Sequence, residues 1–235
     1  MPPDATHDDL DLPARLLYRD ALMLIIDKPA GIPVHLGSGG GINLESAFEA
    51  LRFGLPRPPA LAHRLDRDTS GCLVLGRNRH ALATLGKLFA TGRVSKTYWS
   101  VVEGIPEKHA GLIDIPLKKR GGASSWRMDA AADGMPAQTR YEVLSARDGR
   151  AWLALEPLTG RTHQLRVHCA AMGWPIAGDW VYGARPAVRR PAQVALQLHA
   201  RAVTVPLYPK KPAIAVTAPP PPHMIEALRS MGYTD

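Results

Sequence analysis

Cysteine is scarce in this sequence, which contains only Cys72 and Cys169. Both lie within apolar patterns, and neither belongs to a C-x-x-C pair or to a spacing typical of metal ligands. The scarcity excludes a disulfide framework and a cysteine-based zinc site. We therefore expect two buried thiols in a reducing cytoplasm and no bound metal.

Long apolar runs and phosphate-binding motifs are missing as well. No stretch reaches the length that spans a bilayer, and the first residues are rich in aspartate where a signal peptide would be basic and then apolar. The glycine cluster at residues 37–41 is not followed by Lys-Ser or Lys-Thr, so it favours a mobile loop over a Walker-type loop. The sequence predicts a soluble cytoplasmic protein without a membrane anchor.

Acidic residues are outnumbered, with 21 Asp and Glu against 29 Lys and Arg, which gives a formal net charge of +8. A basic excess of this kind favours an anionic partner, and nucleic acid is the first candidate. Ribosomal association, an acidic small substrate and a charge that serves only solubility remain open at this point.

Apolar runs and turn signals predict a single mixed α/β domain over residues 14–235, preceded by a loose leader over residues 1–13. Asp148-Gly149 separates two strand-like segments and is a hairpin signal, so we expect a mostly antiparallel sheet flanked by short helices. The predicted strands are 23–26, 32–36, 72–75, 94–103, 138–144, 151–155 and 198–205. The predicted helices are 44–51 with Asn43 as cap, 81–90, a segment capped by Thr162 that ends at Gly173, and 223–231.

The first group of chemistry-bearing residues is the stretch 63–71, which reads His-Arg-Leu-Asp-Arg-Asp-Thr-Ser-Gly. It precedes a short buried strand, so its charged side chains are predicted on a loop that a sheet holds in place. Arg64 and Arg67 flank Asp66, and guanidinium groups favour the ionised form of a carboxylate, as a nucleophile or an electrostatic stabiliser requires. A solvated run of surface charges is the alternative reading of the same residues.

The second group lies in the stretch 158–168, which reads Leu-Thr-Gly-Arg-Thr-His-Gln-Leu-Arg-Val-His. Guanidinium and imidazole donors concentrate there in the first turns of a predicted helix, and Arg166 could pair bidentately with a buried carboxylate. An ordinary surface arginine is the other reading. His163 and His168 are five residues apart, so they do not share a helix face as zinc ligands would.

Tyr98 lies in a predicted strand beside Lys96 and Trp99. An exposed tyrosine next to basic groups can stack on a nucleobase. A tyrosine of the hydrophobic core is the equally plain alternative.

Three motifs make the chain resemble the RluA-type pseudouridine synthases from about Leu16 to near the C-terminus. They are HRLDxxTSG at 63–71, Lys-Thr-Tyr at 96–98, and GRTHQLRVH at 160–168, which continues into Gly178-Asp179 and Tyr182-Gly183. The order and spacing of these motifs make the resemblance specific. It implies the pseudouridine synthase fold, a single mixed and mostly antiparallel sheet domain, and a reaction that isomerises uridines in RNA without cofactor or metal.

The resemblance also implies roles for individual residues. Asp66 matches the aspartate that breaks the bond between N1 of uridine and C1′ of its ribose, either by attack at C1′ or by removal of a proton from C2′. Tyr98 matches the tyrosine that stacks on uracil and serves in deprotonation at C5, and Arg166 matches the basic residue that pairs with the catalytic carboxylate. Arg64 matches an arginine that helps to flip the target base. The remaining predicted substrate-binding residues are His63, Arg161, His163 and Gln164.

The sequence departs from many relatives because it carries no recognisable N-terminal RNA-binding domain of the S4 type. The catalytic domain would then hold a transfer RNA or ribosomal RNA by itself, as a monomer. The predicted phosphate contacts are Arg185, Arg189, Arg190, Lys210 and Lys211.

Two rival functions are compatible with parts of the pattern. A catalytically inactive RNA-binding module of the same fold would bind RNA without isomerising uridine. A hydrolase would use Asp66 and Asp68 as a carboxylate pair, as glycosidases do, although the two residues are close in sequence and no second acid is evident elsewhere.

Overall fold

A computed structural model describes residues 10–35, 42–121, 126–183 and 194–234. The chain divides into two compact units: unit 1 comprises Met1–Lys96 and Ala200–Pro219, and unit 2 comprises Thr97–His199 and Pro220–Asp235. The sequence analysis expected one catalytic domain over residues 14–235.

The regular elements follow one another in an order dominated by strands. They are a 3₁₀ helix Pro13–Arg15, β1 Leu16–Arg19, β2 Met23–Lys28, a 3₁₀ helix Glu45–Leu51, β3 Ala60–Leu61, β4 Ser70–Gly76, α1 Arg79–Ala90, β5 Ser95–Glu103, β6 Ala110–Asp114, β7 Leu117–Lys119, β8 Met128–Ala130, β9 Gln138–Arg147, β10 Arg150–Pro157, α2 Gln164–Ala171, β11 Leu198–Val205, β12 Ile214–Thr217 and α3 Pro222–Ser230. The chain leaves unit 1 within β5 and returns to it within β11.

Unit 1 is built around β4, every residue of which is buried. β2 and β3 pair with β4 in antiparallel fashion, β1 continues the sheet beyond β2, and β12 pairs with β11. Helix α1 packs on this sheet through Leu85 and Leu88. The Asn78 side chain accepts the N–H of Ala81 at 2.9 Å, which caps the helix.

Unit 2 contains the antiparallel strand pairs β5–β10, β10–β9 and β9–β6. Asp148 and Gly149 both have positive φ in the β9–β10 turn, the conformation that an Asp-Gly hairpin requires, so the predicted hairpin is confirmed. Thr139, Tyr141 and Val143 are buried while the residues between them are exposed, as expected for a strand with one face on the core.

Local signals located most elements, and the differences have physical reasons. Leu10 and Leu12 of the predicted leader are buried, because their apolar side chains pack on unit 1 before β1 begins. The helix predicted over 44–51 is a 3₁₀ helix, although Asn43 does accept the N–H of Ser46 as a cap would. The described part of the strand predicted at 32–36 is irregular, with a bend at residues 34–35, and forms no strand.

The strands that sequence reasoning missed are short or carry little branched apolar sequence. They are β1, β3, β6, β7, β8 and β12. The predicted fold class, a mixed and mostly antiparallel sheet with flanking helices, is confirmed.

Candidate functional site

Asp66 lies in the loop at residues 62–69, which joins β3 to β4 and is called the Asp66 loop below. Asp66 is partly exposed, whereas Arg64 and Arg67 are exposed. The N–H of Thr69 donates to the carbonyl of Asp66 at 3.2 Å, which closes a turn directly before β4. The predicted placement of the charged stretch on a loop that feeds a sheet is confirmed.

The side chain of Lys28 holds this loop in place through hydrogen bonds to its backbone. Its ammonium group donates to the carbonyls of Arg67 and Thr69, both at 2.9 Å, and to that of Pro29 at 2.8 Å. The lysine is completely buried. Sequence reasoning missed it, since Asp-Lys-Pro-Ala-Gly at 27–31 suggested only a turn, whereas β2 continues through Lys28 and carries the side chain beneath the loop.

Burial lowers the pKa of Lys28 to about 7, because an ammonium group loses hydration inside a protein. The carboxylates of Asp68 and Asp66 act in the opposite direction and favour its charged form. Lys28 is therefore electrostatically coupled to the carboxylate proposed from sequence as the catalytic group.

Main-chain contacts add to the attachment of the loop. The N–H of Gly31 donates to the carbonyl of Arg67 at 3.0 Å, and Nε of Arg67 returns a hydrogen bond to the carbonyl of Gly31 at 3.0 Å. The backbone on the C-terminal side of Asp66 is therefore held by contacts at Arg67 and Thr69.

Gly71 shapes the exit from the loop. Its φ is +103°, and a Cβ atom there would lie 2.3 Å from the carbonyl oxygen of Ala200. Only glycine meets both conditions, so the glycine of the Thr-Ser-Gly sequence lets β4 approach the neighbouring backbone.

His63 serves this scaffold through its imidazole. Nε2 accepts the N–H of Val74 at 3.0 Å, and the ring stacks on Phe89 with centroids 4.2 Å apart. Burial of the ring, aided by the charge of Lys96, lowers its pKa to about 3. The ring is therefore neutral at physiological pH and carries its proton on Nδ1. Through its contacts with Val74 and Phe89, it holds the start of the Asp66 loop in place.

In unit 2, Arg166 pairs with Asp179. Nε and Nη2 of the arginine donate to the two carboxylate oxygens at 2.7 and 2.8 Å, and both side chains are buried. Burial on its own would raise the pKa of Asp179, but the Arg166 hydrogen bonds outweigh it and the pKa is lowered. The N–H groups of Val181 and Tyr182 also donate to this carboxylate. The bidentate, buried geometry predicted for Arg166 is present, with Asp179 as a partner.

Gln164 has every polar atom of its amide engaged within the protein. Its oxygen accepts the N–H of Arg161 at 3.0 Å and the hydroxyl of Thr159 at 2.7 Å. Its nitrogen donates to the carbonyl of Gln138 and the hydroxyl of Thr139. The same Thr139 hydroxyl lies 2.9 Å from Nδ1 of His168. Gln164 thus ties the start of α2 to β9.

His163 precedes α2 with φ of +53°, a left-handed conformation that is strained for a non-glycine residue. Its Nδ1 lies 2.8 Å from the hydroxyl of Tyr182, which also accepts the N–H of Met128. The predicted cap Thr162 is wrong by one position, because the helix begins at Gln164 after His163 and no side chain caps it.

Tyr98 and Arg161 complete the predicted set. Tyr98 lies on β5 opposite Leu155 of β10, partly exposed and packed against the core of unit 2. Nε of Arg161 donates to the carbonyl of Pro136 at 3.1 Å. Unit 1 therefore brings together His63, Arg64 and Asp66, and unit 2 holds Tyr98, Arg161, His163, Gln164 and Arg166.

The predicted phosphate contacts divide between two parts of the sequence. Lys210 and Lys211 are exposed, and Nζ of Lys211 lies 5.2 Å from the ring centre of Tyr208. Arg185, Arg189 and Arg190 lie outside the described residues.

The described ranges contain no group of three or more His, Cys, Asp or Glu side chains that could hold a metal ion. Within those ranges, no helix is both long and apolar enough to cross a membrane. Both cysteines are buried and carry free thiols, and burial raises the pKa of Cys72 to about 12.

Comparison with known proteins is consistent across sequence and structure. The family model described as RNA pseudouridylate synthase matches residues 22–171. An uncharacterized RNA pseudouridine synthase of Zymomonas mobilis is 45% identical over 225 residues, which cover 94% of this chain and 99% of the relative. Ribosomal large subunit pseudouridine synthase C of Vibrio cholerae is 35% identical over 92% of this chain and 69% of its own length.

Among solved structures, human RNA pseudouridylate synthase domain containing 4 superposes with a TM-score of 0.79 and 27% identity. The match covers 94% of each chain. Similarity in sequence and in backbone geometry therefore leads to the same family.

Proposed function

This chain belongs to the RluA-type family of RNA pseudouridine synthases, and we propose that it isomerises specific uridines of large-subunit ribosomal RNA with Asp66 as its catalytic residue. Membership of the family makes it an RNA-modifying isomerase, which displaces the hydrolase reading. The ribosomal substrate is supported by the name of the Vibrio cholerae relative. Transfer RNA is the other substrate class that the sequence left open.

The reaction conserves all atoms of the uridine. The bond between N1 and C1′ breaks, the uracil turns, a bond forms between C5 and C1′, and the hydrogen on C5 is lost while N1 gains one. No electrons are exchanged with another molecule. In the proposal, Asp66 starts this sequence either by attack at C1′ or by removal of the C2′ proton.

The other proposed roles follow the family resemblance. Tyr98 stacks on the uracil and serves in the deprotonation at C5, Arg166 supports the catalytic carboxylate, and the exposed Arg64 helps to bring the target base out of its stack. Arg161 and His163 remain proposed substrate contacts. His63 and Gln164 are better described as positioning residues, because their polar atoms bond to the protein itself.

The observation that carries the proposal is the attachment of the Asp66 loop. Lys28 and Gly31 bind the backbone on the C-terminal side of Asp66, and the turn closed by Thr69 fixes the carbonyl of Asp66 itself. A carboxylate presented by a backbone fixed in this way is the geometry that catalysis at a defined atom requires.

Substitution of Asp66 by asparagine tests the assignment. We expect D66N to abolish pseudouridine formation in ribosomal RNA taken from a strain that lacks the protein, while RNA binding is retained. Asp68→Asn is the matched control, since it removes a carboxylate from the same turn, and it should keep most of the activity. Substantial turnover by D66N would refute the catalytic role.

The substrate itself is tested by mapping pseudouridines in cellular RNA with and without the protein. The proposal expects the lost positions in large-subunit ribosomal RNA, and losses confined to transfer RNA would overturn that part. A wild-type protein that binds RNA but changes no position would be the inactive module considered above.

Two further features are proposed with it. We propose that the protein works in the cytoplasm, which fits its bacterial relatives, although a Bos taurus relative is named as mitochondrial. We also propose a monomer, and sedimentation at micromolar concentration would show a single species of 25.5 kDa.

A further inference from the structure

Unit 2 exposes two indole rings next to each other. Trp126 is 52% exposed and Trp180 is 66% exposed, and their ring centroids lie 5.9 Å apart at an interplanar angle of 50°. They are the only aromatic side chains among the large exposed hydrophobic residues of the described ranges. Exposed tryptophan is costly in water, so a pair of such rings calls for a binding partner.

Hydrogen bonds hold the chain one or two residues away from each ring. Trp180 directly follows Asp179, whose carboxylate binds the Arg166 guanidinium and the N–H groups of Val181 and Tyr182. Trp126 lies two residues before Met128, the first residue of β8, whose N–H donates to the Tyr182 hydroxyl at 2.9 Å.

The ring of Trp126 also meets the imidazole of His163 edge-on, with centroids 5.8 Å apart and an interplanar angle of 82°. The two tryptophans therefore border the Arg166 and His163 region of unit 2.

The surrounding charge is positive. The guanidinium carbon of Arg127 lies 5.2 Å from the ring centre of Trp126. Lys118, Lys119 and Arg120 lie earlier in the β7–β8 segment, where Lys118 forms an ion pair with Asp133 and Arg120 forms one with Asp129, so the cations still outnumber the carboxylates. Flat aromatic faces bordered by cations are what single-stranded RNA binds, through base stacking and phosphate contacts.

We propose that Trp126 and Trp180 form a stacking platform for an unpaired nucleobase of the RNA substrate, distinct from the uridine that is isomerised, with Arg127 contacting an adjacent phosphate. This inference rests on the proposed function for its choice of RNA. Charge selects RNA over an apolar protein surface, because the cations beside the rings would have to be desolvated against a nonpolar partner.

Substitution of each tryptophan by leucine tests the platform, because leucine is a large apolar side chain without an aromatic face on which a base could stack. We expect Trp126→Leu and Trp180→Leu each to weaken binding of ribosomal RNA, taken from a strain without the protein, by about tenfold. KM should rise by a similar factor while kcat stays near the wild-type value. Trp180→Phe should restore most of the affinity, and Ile105→Ala, at an exposed apolar site of unit 2, should leave it unchanged.

Salt dependence separates stacking from charge. The two leucine variants should keep the wild-type slope of log affinity against log salt concentration, while Arg127→Gln should reduce that slope by about one.

Wild-type affinity and KM in both leucine variants would overturn the platform. The platform would also be overturned if the variants bound protein-free RNA normally and lost affinity only for assembled ribosomal subunits, because the surface would then bind a protein. The binding assay needs no turnover, so it judges the platform even if the wild-type enzyme forms no pseudouridine, the result that would instead refute the proposed function.

Discussion

The Asp66 loop and the region around α2 are held in place by different kinds of contact. In unit 1, carbonyl groups of the loop accept hydrogen bonds from the buried Lys28 and from the N–H of Gly31, and the side chains of His63 and Arg67 add one contact each. In unit 2, side chains bind one another, as in the Arg166–Asp179 pair and the amide of Gln164.

Most of the contacts described for the Asp66 loop end on its backbone, whereas those described for the α2 region join side chains. We therefore expect substitutions in the α2 region to change stability as well as activity. Substitutions at Arg166, Asp179, Gly71 and Lys28 test this difference.

The largest effect is expected for Arg166→Met, which leaves the buried carboxylate of Asp179 without its guanidinium. Loss of one partner from a buried ion pair typically costs about 3 to 5 kcal/mol of the free energy of unfolding. Urea unfolding measures this loss, and pseudouridine formation should fall with it. The exposed pair of Lys118 and Asp133 provides the control, since Asp133→Asn should change stability little.

Acid unfolding should report the same pair. The pKa of Asp179 is lowered in the folded protein, so its contribution to stability is present above the unfolded value near 4 and is lost as the pH falls through the folded value. Asp179→Asn should therefore flatten the acid limb of the stability curve. Stability equal to wild type in Arg166→Met would contradict the structural role assigned to the pair.

Gly71→Ala should have an intermediate effect. Its Cβ would meet the Ala200 carbonyl at 2.3 Å and its φ is positive, so backbone strain and overpacking together should cost about 3 kcal/mol. Gly54→Ala is the matched control, because Gly54 has φ of +82° but nothing within 4 Å of a Cβ atom. Thermal unfolding of both variants should separate the clash from the strain, and equal losses would show that the close approach contributes nothing.

The smallest change in stability is expected for Lys28→Met, a loss of about 1 to 2 kcal/mol in the free energy of unfolding. Removal of the buried ammonium group also removes its desolvation penalty, which offsets part of the lost hydrogen bonding. Its effect on activity should be larger, since the Asp66 loop loses its support. The pKa of Lys28 is about 7 in the folded protein and about 10.5 in the unfolded chain, so only the unfolded chain keeps the proton between these values.

Wild-type stability should consequently gain a rising component between about pH 7 and 10.5 that Lys28→Met lacks. Unfolding midpoints at several pH values in this interval measure the difference between the two proteins. Parallel curves would show that Lys28 does not titrate there, and unchanged turnover would show that it does not position Asp66.

Sequence reasoning reached the parts of the structure that local signals determine. The Asp-Gly hairpin at 148–149, the buried strand after the Asp66 loop and helix α1 each carry their information within a few residues. The motifs also predicted the family and the residues proposed for catalysis.

Contacts between distant positions were not predictable in the same way. Nothing near Lys28 indicates that it binds carbonyls of residues 67 and 69, and nothing near Arg166 singles out Asp179 as its partner. Gln164 and His63, which are predicted as substrate contacts, also form hydrogen bonds with other parts of the protein that no local signal indicates.

The division of unit 1 between two stretches of chain has a consequence for synthesis on the ribosome. Cys72 of β4 lies 129 residues before Arg201 of β11, whose carbonyl it contacts at 3.8 Å. Translation at about 5 to 20 residues per second separates these strands by roughly 6 to 26 s. β4, the strand that follows Asp66, therefore cannot pair with β11 until most of the protein has been made. During that interval, one edge of this apolar strand lacks its partner.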